Sequence, residues 1–230
     1  MKASAEIKAR SRRFRWQTAQ QVGALAGVDR TMKFPSFDPR LAKTLAPNPE
    51  YARLAAFALA LARLQEEEVD GAIAEVGVWR GDSSVVLHAA APDRLLHLFD
   101  TFEGFPQDQL DSAGGDARFR DTSETAVRGR LPAAANVRMH PGIVPDTLAQ
   151  VEDVDFAFVL LDLDLSKPTT AALEFFYPRL AKGGYVFLHD YNNDESEWAG
   201  RRSLDGFLAD KPEQLIELAD PWGSAVFRKQ

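Results

Sequence analysis

The stretch Ile73-Ala74-Glu75-Val76-Gly77-Val78-Trp79-Arg80-Gly81-Asp82-Ser83-Ser84 is an apolar run that halts at a glycine turn and passes into a helical pattern. The same grammar returns three times. Leu98-Phe99 stops at Asp100-Thr101-Phe102-Glu103-Gly104, Leu160-Leu161 at Asp162-Leu163-Asp164, and Val186-Phe187-Leu188 at His189-Asp190-Tyr191. An apolar run that ends abruptly in acidic or small residues is what a parallel strand, buried on both faces, leaves in a sequence when it delivers functional groups at its C-terminal end. Four such ends can build one site.

Outward from these runs, strands are predicted over 72–78, 95–100, 137–140, 156–163 and 185–189, with helices near 83–91, 122–131, 145–151, 169–180 and 199–208. Alternation of this kind implies right-handed crossovers and an α/β, doubly wound, mostly parallel sheet. The tail differs. Residues 215–218 and 225–228 read as two short strands joined by Asp220-Pro221-Trp222-Gly223 with no helix between, an antiparallel hairpin at the sheet edge. Upstream, Leu54, Phe57, Ala58, Leu61 and Leu64 recur at helical spacing over 50–68, and Val69-Asp70-Gly71 breaks that helix. Residues 5–26 suit a further helix, arginine-rich at its start, expected to pack on the body or on a second subunit of a homo-oligomer. The proline-rich stretch 31–49 reads as a surface loop. The expected organisation is therefore an N-terminal helical segment with a substrate-side or lid loop (1–68), followed by a ligand-binding α/β domain (69–230).

A chain of 230 residues accommodates one domain with a generous core plus a small appendage. The formal net charge of −7 offers no basic footprint for nucleic acid. With no cysteine, disulfides, thiolate metal sites and cysteine nucleophiles are excluded. The most apolar stretch, 54–64, is interrupted by Arg63 and too short to span a bilayer, and no signal peptide is visible. A cytoplasmic protein without a membrane partner is the expectation.

Glu75-x-Gly77-x-x-x-Gly81, between a strand and a helix, is a ligand-binding turn: its glycines allow close backbone approach, and the helix start offers free N–H groups. A dinucleotide site would require Gly-x-Gly-x-x-Gly against a pyrophosphate. Here Trp79 lies between the glycines, and Glu75 would repel a pyrophosphate while suiting an ammonium group. S-adenosylmethionine carries an ammonium and no phosphate. Asp100 ends the next strand, where an acid can grip both ribose hydroxyls of an adenosine; the alternative is a turn cap.

The second pair of strand ends gathers Asp162, His189 and Asp190. Carboxylates brought together repel one another unless a cation lies between them, which favours a divalent metal. All-oxygen ligation suits Mg²⁺, whereas an imidazole ligand shifts preference towards Mn²⁺, Fe²⁺ or Zn²⁺. The structural alternatives are that Asp164 caps a helix starting near Pro168 and that His189 donates to a backbone carbonyl. His88, His97 and His140 fall within helix or strand patterns and read as structural.

At these residues the chain resembles the S-adenosylmethionine-dependent macrocin-type O-methyltransferases of antibiotic biosynthesis. The likeness runs from about Asp70 to Phe207. Its blocks include Glu75-Val-Gly77-Val-Trp79-Arg80-Gly81, Phe99-Asp100-Thr101-Phe102-Glu103-Gly104-Phe105-Pro106, Phe119-Arg-Asp121-Thr122-Ser123, Gly142-Ile-Val-Pro-Asp146-Thr147-Leu148 and Asp162-Leu-Asp164-Leu-Ser-Lys-Pro168-Thr169. The resemblance implies a class I methyltransferase (Rossmann-like) fold and a small-molecule hydroxyl, often on a sugar, as acceptor. It implies a divalent ion, commonly Mg²⁺, at Asp162, His189 and Asp190. It also implies a cofactor pocket lined by Glu75, Gly77, Asp100, Thr101, Phe102, Glu103, Gly104, Ser123, Ile143, Leu161 and Asp162. Two positions depart from the family: His189-Asp190 replaces a pair of aspartates, and Ser166 replaces a tyrosine.

The expected chemistry is in-line methyl transfer to an oxygen oriented by the metal, with Asp162 or His189 as the catalytic base and His189 preferred if it is not a ligand. The competing readings are metal-independent or N-directed methylation, a non-catalytic relative that binds the cofactor, and an NAD-dependent oxidoreductase.

Overall fold

Each apolar run becomes a strand of one sheet: β1 (Ala72–Val76), β2 (Leu96–Asp100), β3 (Val137–Pro141), β4 (Phe156–Leu161), β5 (Leu180–Leu188), β6 (Leu215–Glu217) and β7 (Ala225–Arg228). The strands lie in the order β3-β2-β1-β4-β5-β7-β6. Pairing is parallel from β3 to β5 and antiparallel for β5 with β7 and β7 with β6. The helices are α1 (Tyr51–Glu66), α2 (Asp82–Ala90), α3 (Glu124–Arg130), α4 (Ser166–Phe176) and α5 (Ala199–Leu208). This computed structural model describes residues 48–110, 116–132, 135–151 and 153–230, with Leu41 and Leu45. The chain divides into two units, Met1–Ala42 and Lys43–Gln230, and every element named above belongs to the second. The helix predicted over 5–26 and most of the proline-rich stretch lie outside the described residues. Among the described residues, no helix is long and apolar enough to cross a membrane.

The doubly wound sheet with its antiparallel hairpin is the fold expected, and the differences are local. Residues 145–151 form only a 3₁₀ turn, Leu148–Gln150, of the kind that commonly serves as a short connector between strands. Strand β5 begins at Leu180, five residues before the predicted start. Its pairing with β4 jumps from Phe156↔Leu180 to Phe158↔Tyr185, and Gly183 in the intervening stretch has φ +84°. Helix α4 starts at Ser166 rather than Pro168, behind Leu165, with no side-chain cap. Proline is tolerated in a first turn because its missing N–H would have no partner there.

Both sheet faces are covered. On one, Phe57 of α1 meets Phe187 and Phe158 edge-on at ring distances of 4.9 and 5.8 Å. On the other, Phe176 of α4 meets Phe156 at 4.9 Å and Phe99 at 6.0 Å. Beside Phe99, the fully buried His97 places Nδ1 2.9 Å from Nε2 of His140 on the neighbouring strand, with the rings stacked. Burial, with the adjacent His140 and Arg138, depresses the His97 pKa to about 4.

A histidine whose folded pKa is depressed binds its proton more weakly folded than unfolded. Stability is therefore full above the ordinary value of 6.5 and falls as pH drops towards about 4. The loss is roughly 3 kcal/mol. His97→Phe should flatten the decline in melting temperature between pH 7 and pH 4.5, followed by circular dichroism; an unchanged slope would acquit His97.

Candidate active site

Val76, Leu161 and Leu188, the last residues of three parallel strands, are register partners. The backbone ladder continues one residue further. Gly77 N–H donates to the Phe99 carbonyl (2.9 Å), Asp162 N–H to Val76 (2.8 Å) and His189 N–H to Leu161 (2.9 Å). Gly77, Asp162 and His189 thus stand side by side on one rim. Gly77 must be glycine: its φ is +91°, and a Cβ there would lie 1.8 Å from the Asp162 carbonyl oxygen. Above the rim lies a cavity of about 530 Å³, whose walls include Glu75, Gly77, Asp100, Thr101, Gly104, Asp162, His189 and Asp190.

At the β1 and β2 end, Glu75 is buried and accepts a 2.5 Å hydrogen bond from the Ser84 hydroxyl of α2. Burial raises its pKa to about 8 despite that bond. Asp100 spends both carboxylate oxygens on the backbone: one accepts from Val78 (2.6 Å) and Trp79 (2.8 Å) N–H, the other from Phe102 N–H (2.7 Å). It holds the glycine turn in shape while keeping a place on the cavity wall.

Five predicted cofactor residues are not among those lining the cavity. Glu103 is exposed, and its N–H donates to the Thr101 hydroxyl at 3.2 Å. Phe102 is buried and supplies the N–H to Asp100. Ser123 caps α3, its hydroxyl accepting from Ala126 N–H. Ile143 is partly exposed, and Leu161 is wholly within the core. Ser166, the second departure from the family pattern, accepts a hydrogen bond from Arg202 at its hydroxyl and one from Ser203 at its carbonyl, which join α4 to α5.

At the β4 and β5 end, Nδ1 of His189 lies 2.8 Å from both Asp162 Oδ1 and Asp190 Oδ2. One atom from each of the three falls within 4.8 Å of the others. Asn193 donates to the second oxygen of Asp190 (3.1 Å). Burial alone would lower the His189 pKa, but the two carboxylates outweigh it and carry it up to about 9. Burial would likewise raise Asp162, yet His189 and Arg53 hold it down at about 2. Asp164 faces this cluster instead of capping α4. Burial, then the charges of Asp190 and Asp162, push its pKa up to about 8.

Sequence reasoning missed Arg53. It is buried on α1, pairs with Glu50, and reaches Asp162 Oδ2 with Nη1 at 3.2 Å. The signal was available, because Arg53, Phe57, Ala60 and Leu64 share one helical stripe, and a cation on an apolar stripe needs a buried partner. The roof was also missed as a unit. Phe105, Arg118 and Phe119 line the cavity, with Phe119 edge-on to Trp79 at 5.3 Å. Asp121 binds Trp79 Nε1 at 2.8 Å and pairs with Arg80.

The fold is shared with known O-methyltransferases. The O-methyltransferase NovP superposes with a TM-score of 0.67 over 78% of this chain and 80% of its own, at 25% identity. The macrocin O-methyltransferase (TylF) family profile matches residues 6–202; the chain belongs to that family and is a methyltransferase. Among characterised relatives, 8-demethyl-8-(2,3-dimethoxy-alpha-L-rhamnosyl)-tetracenomycin-C 4'-O-methyltransferase of Streptomyces olivaceus is 32% identical over 183 residues, 70% of either chain. Mycinamicin III 3''-O-methyltransferase of Micromonospora griseorubida is 28% identical over 142 residues, 54% of this chain and 56% of its own.

A carboxyl with a raised folded pKa binds its proton more tightly folded than unfolded. Glu75 therefore stabilises the fold below its ordinary 4.5, and that stability is lost as pH climbs towards about 8. Glu75→Gln keeps the Ser84 hydrogen bond without the ionisation. Its melting temperature relative to the parent should rise by at least about 5 °C between pH 5 and pH 8.5; a constant offset would contradict the assignment.

Proposed function

We propose that this protein is an S-adenosylmethionine-dependent O-methyltransferase that acts on a hydroxyl of a small molecule, a sugar or natural-product glycoside. The observation that carries the reading is one cavity lined by both a buried carboxyl, Glu75, and a three-donor acid–base cluster, Asp162, His189 and Asp190. The sugar-directed activities named for the relatives from Streptomyces olivaceus and Micromonospora griseorubida supply the acceptor class.

The residues fit the cofactor. A cavity of about 530 Å³ suits a nucleoside-sized ligand. Glu75, neutral while no cation is near, would ionise against an ammonium group, and Asp100 retains acceptor capacity on Oδ1 for one ribose hydroxyl. Bound there, S-adenosylmethionine supplies an electrophilic methyl group. The other cluster fits a divalent ion. Asp162, His189 and Asp190 offer one nitrogen and two carboxylate oxygens, a donor set that favours Mn²⁺, Fe²⁺ or Zn²⁺ over Mg²⁺. Such an ion would orient an acceptor hydroxyl and lower its pKa.

The chain's own residues divide the remaining work. Where it does not ligate an ion, His189 has its proton affinity nearest neutrality, about 9 against about 2 for Asp162, and is the group that takes the acceptor's proton once its own has left. Asp162 and Asp190 hold the ring in position through Nδ1. Phe105, Phe119 and Trp79 line the cavity and would exclude water from a ligand bound against them.

Asp162→Ala should abolish tritium transfer from S-adenosyl-[methyl-³H]methionine to 4-nitrophenyl rhamnosides and related 6-deoxyhexosides. The same variant should bind S-adenosylhomocysteine within about threefold of the parent by calorimetry, whereas Glu75→Gln should weaken that binding tenfold or more. Turnover that survives in Asp162→Ala would remove the cluster from the mechanism. Turnover untouched by EDTA would remove the metal.

A further inference from the structure

We infer that Arg53 is a built-in counter-cation that holds down the affinity of the Asp162–His189–Asp190 cluster for a divalent ion. The inference rests on the reading of that cluster as a cation site. Arg53 is 5% exposed and enters the cavity wall from α1, outside the strand ends that supply the three donors. Its guanidinium divides between Glu50 and Asp162 Oδ2, and its Nε is buried without a hydrogen-bond partner. Asp162 Oδ1 already faces His189. Both oxygens of Asp162 are therefore engaged by cationic or proton-bearing groups of the chain itself.

An imidazole can make way for a metal by giving up its proton, but a guanidinium cannot, because it stays charged at any working pH. An incoming ion must accept a permanent like charge on one of its own ligands, in a partly buried place where charges are poorly screened.

An opposing effect must be weighed. A hydrogen bond to a ligating carboxylate can orient it and tighten metal binding. At 3.2 Å, the Arg53–Asp162 contact is longer than the roughly 2.7–2.9 Å of a strong charge-assisted bond, so its orienting power is small. Coulomb repulsion falls only slowly with distance, so the charge decides the sign. Glu50 tempers it by neutralising part of the guanidinium.

Mn²⁺ binding to the full chain, without cofactor or acceptor, reads this directly by calorimetry or by the paramagnetic resonance of free Mn²⁺. Arg53→Met should lower the Kd for Mn²⁺ tenfold or more, while Arg53→Lys, which keeps the charge, should stay within about threefold of the parent. Glu50→Gln leaves Arg53 in place without its partner and should raise the Kd threefold or more. Asp162→Asn should abolish the site and so locate the ion. Arg53→Met binding Mn²⁺ no more tightly than the parent would overturn the role of Arg53 and leave the cluster standing as a cation site. No Mn²⁺ binding even in Arg53→Met would overturn both. If Arg53→Met does not fold, the Glu50→Gln shift decides: a weaker Mn²⁺ affinity upholds the inference, and an unchanged one overturns it.

Discussion

Three neighbouring parallel strands end level with one another, and the amide after each last residue is hydrogen-bonded into the strand beside it. Because those backbone groups are satisfied by the ladder, the side chains of Asp162 and His189 are free to serve the cavity. Because Gly77 has no Cβ, the Asp162 carbonyl can sit against it. A one-residue slip in β4 would exchange its two faces and send Asp162 away from the rim. The packed phenylalanines on both faces make such a slip expensive. Chemistry at the rim therefore rests on core packing well below it.

Three of the acids at this rim, Asp162, Glu75 and Asp164, are set apart by their surroundings. Asp162 has His189 and Arg53 and stays ionised. Glu75 has only the Ser84 hydroxyl, and Asp164 faces two other carboxyl groups; both take up protons more readily than a free acid. Position along the rim, rather than residue type, thus determines which carboxyl carries charge at neutral pH. A charged Asp162 next to a proton-bearing His189 suits proton handling. A neutral Glu75, buried and poised to ionise, suits a ligand that brings its own positive charge.

The sheet was legible because buried parallel strands write themselves as unbroken apolar runs, and the hairpin because no helix separates its strands. The early start of β5 was not. Leu180-Ala-Lys-Gly-Gly carries the breaker residues of a loop, and only pairing with β4 keeps it extended. At the site, strand ends were readable because register alone aligns them. Arg53 and the roof residues Phe105 and Phe119 were not, since they reach the rim from segments whose approach depends on tertiary packing. Ser123 and Ile143 show the converse: a motif position can be carried over from a family while the side chain spends itself on a helix cap or faces solvent.

His189 and Arg53 make sense together. Around this cluster the carboxyls of Asp162, Asp164 and Asp190 would repel one another if all were ionised. An aspartate in place of His189 would add a fourth acid and increase the demand for an external cation. Imidazole at that position removes one negative charge and can supply a positive one, while Arg53 supplies a second that is permanent. The cluster is thereby close to electrically balanced by its own side chains. Exchanging an acid for a base at the rim therefore alters how much of the cluster's charge the protein balances by itself, without disturbing the fold that brings the groups together.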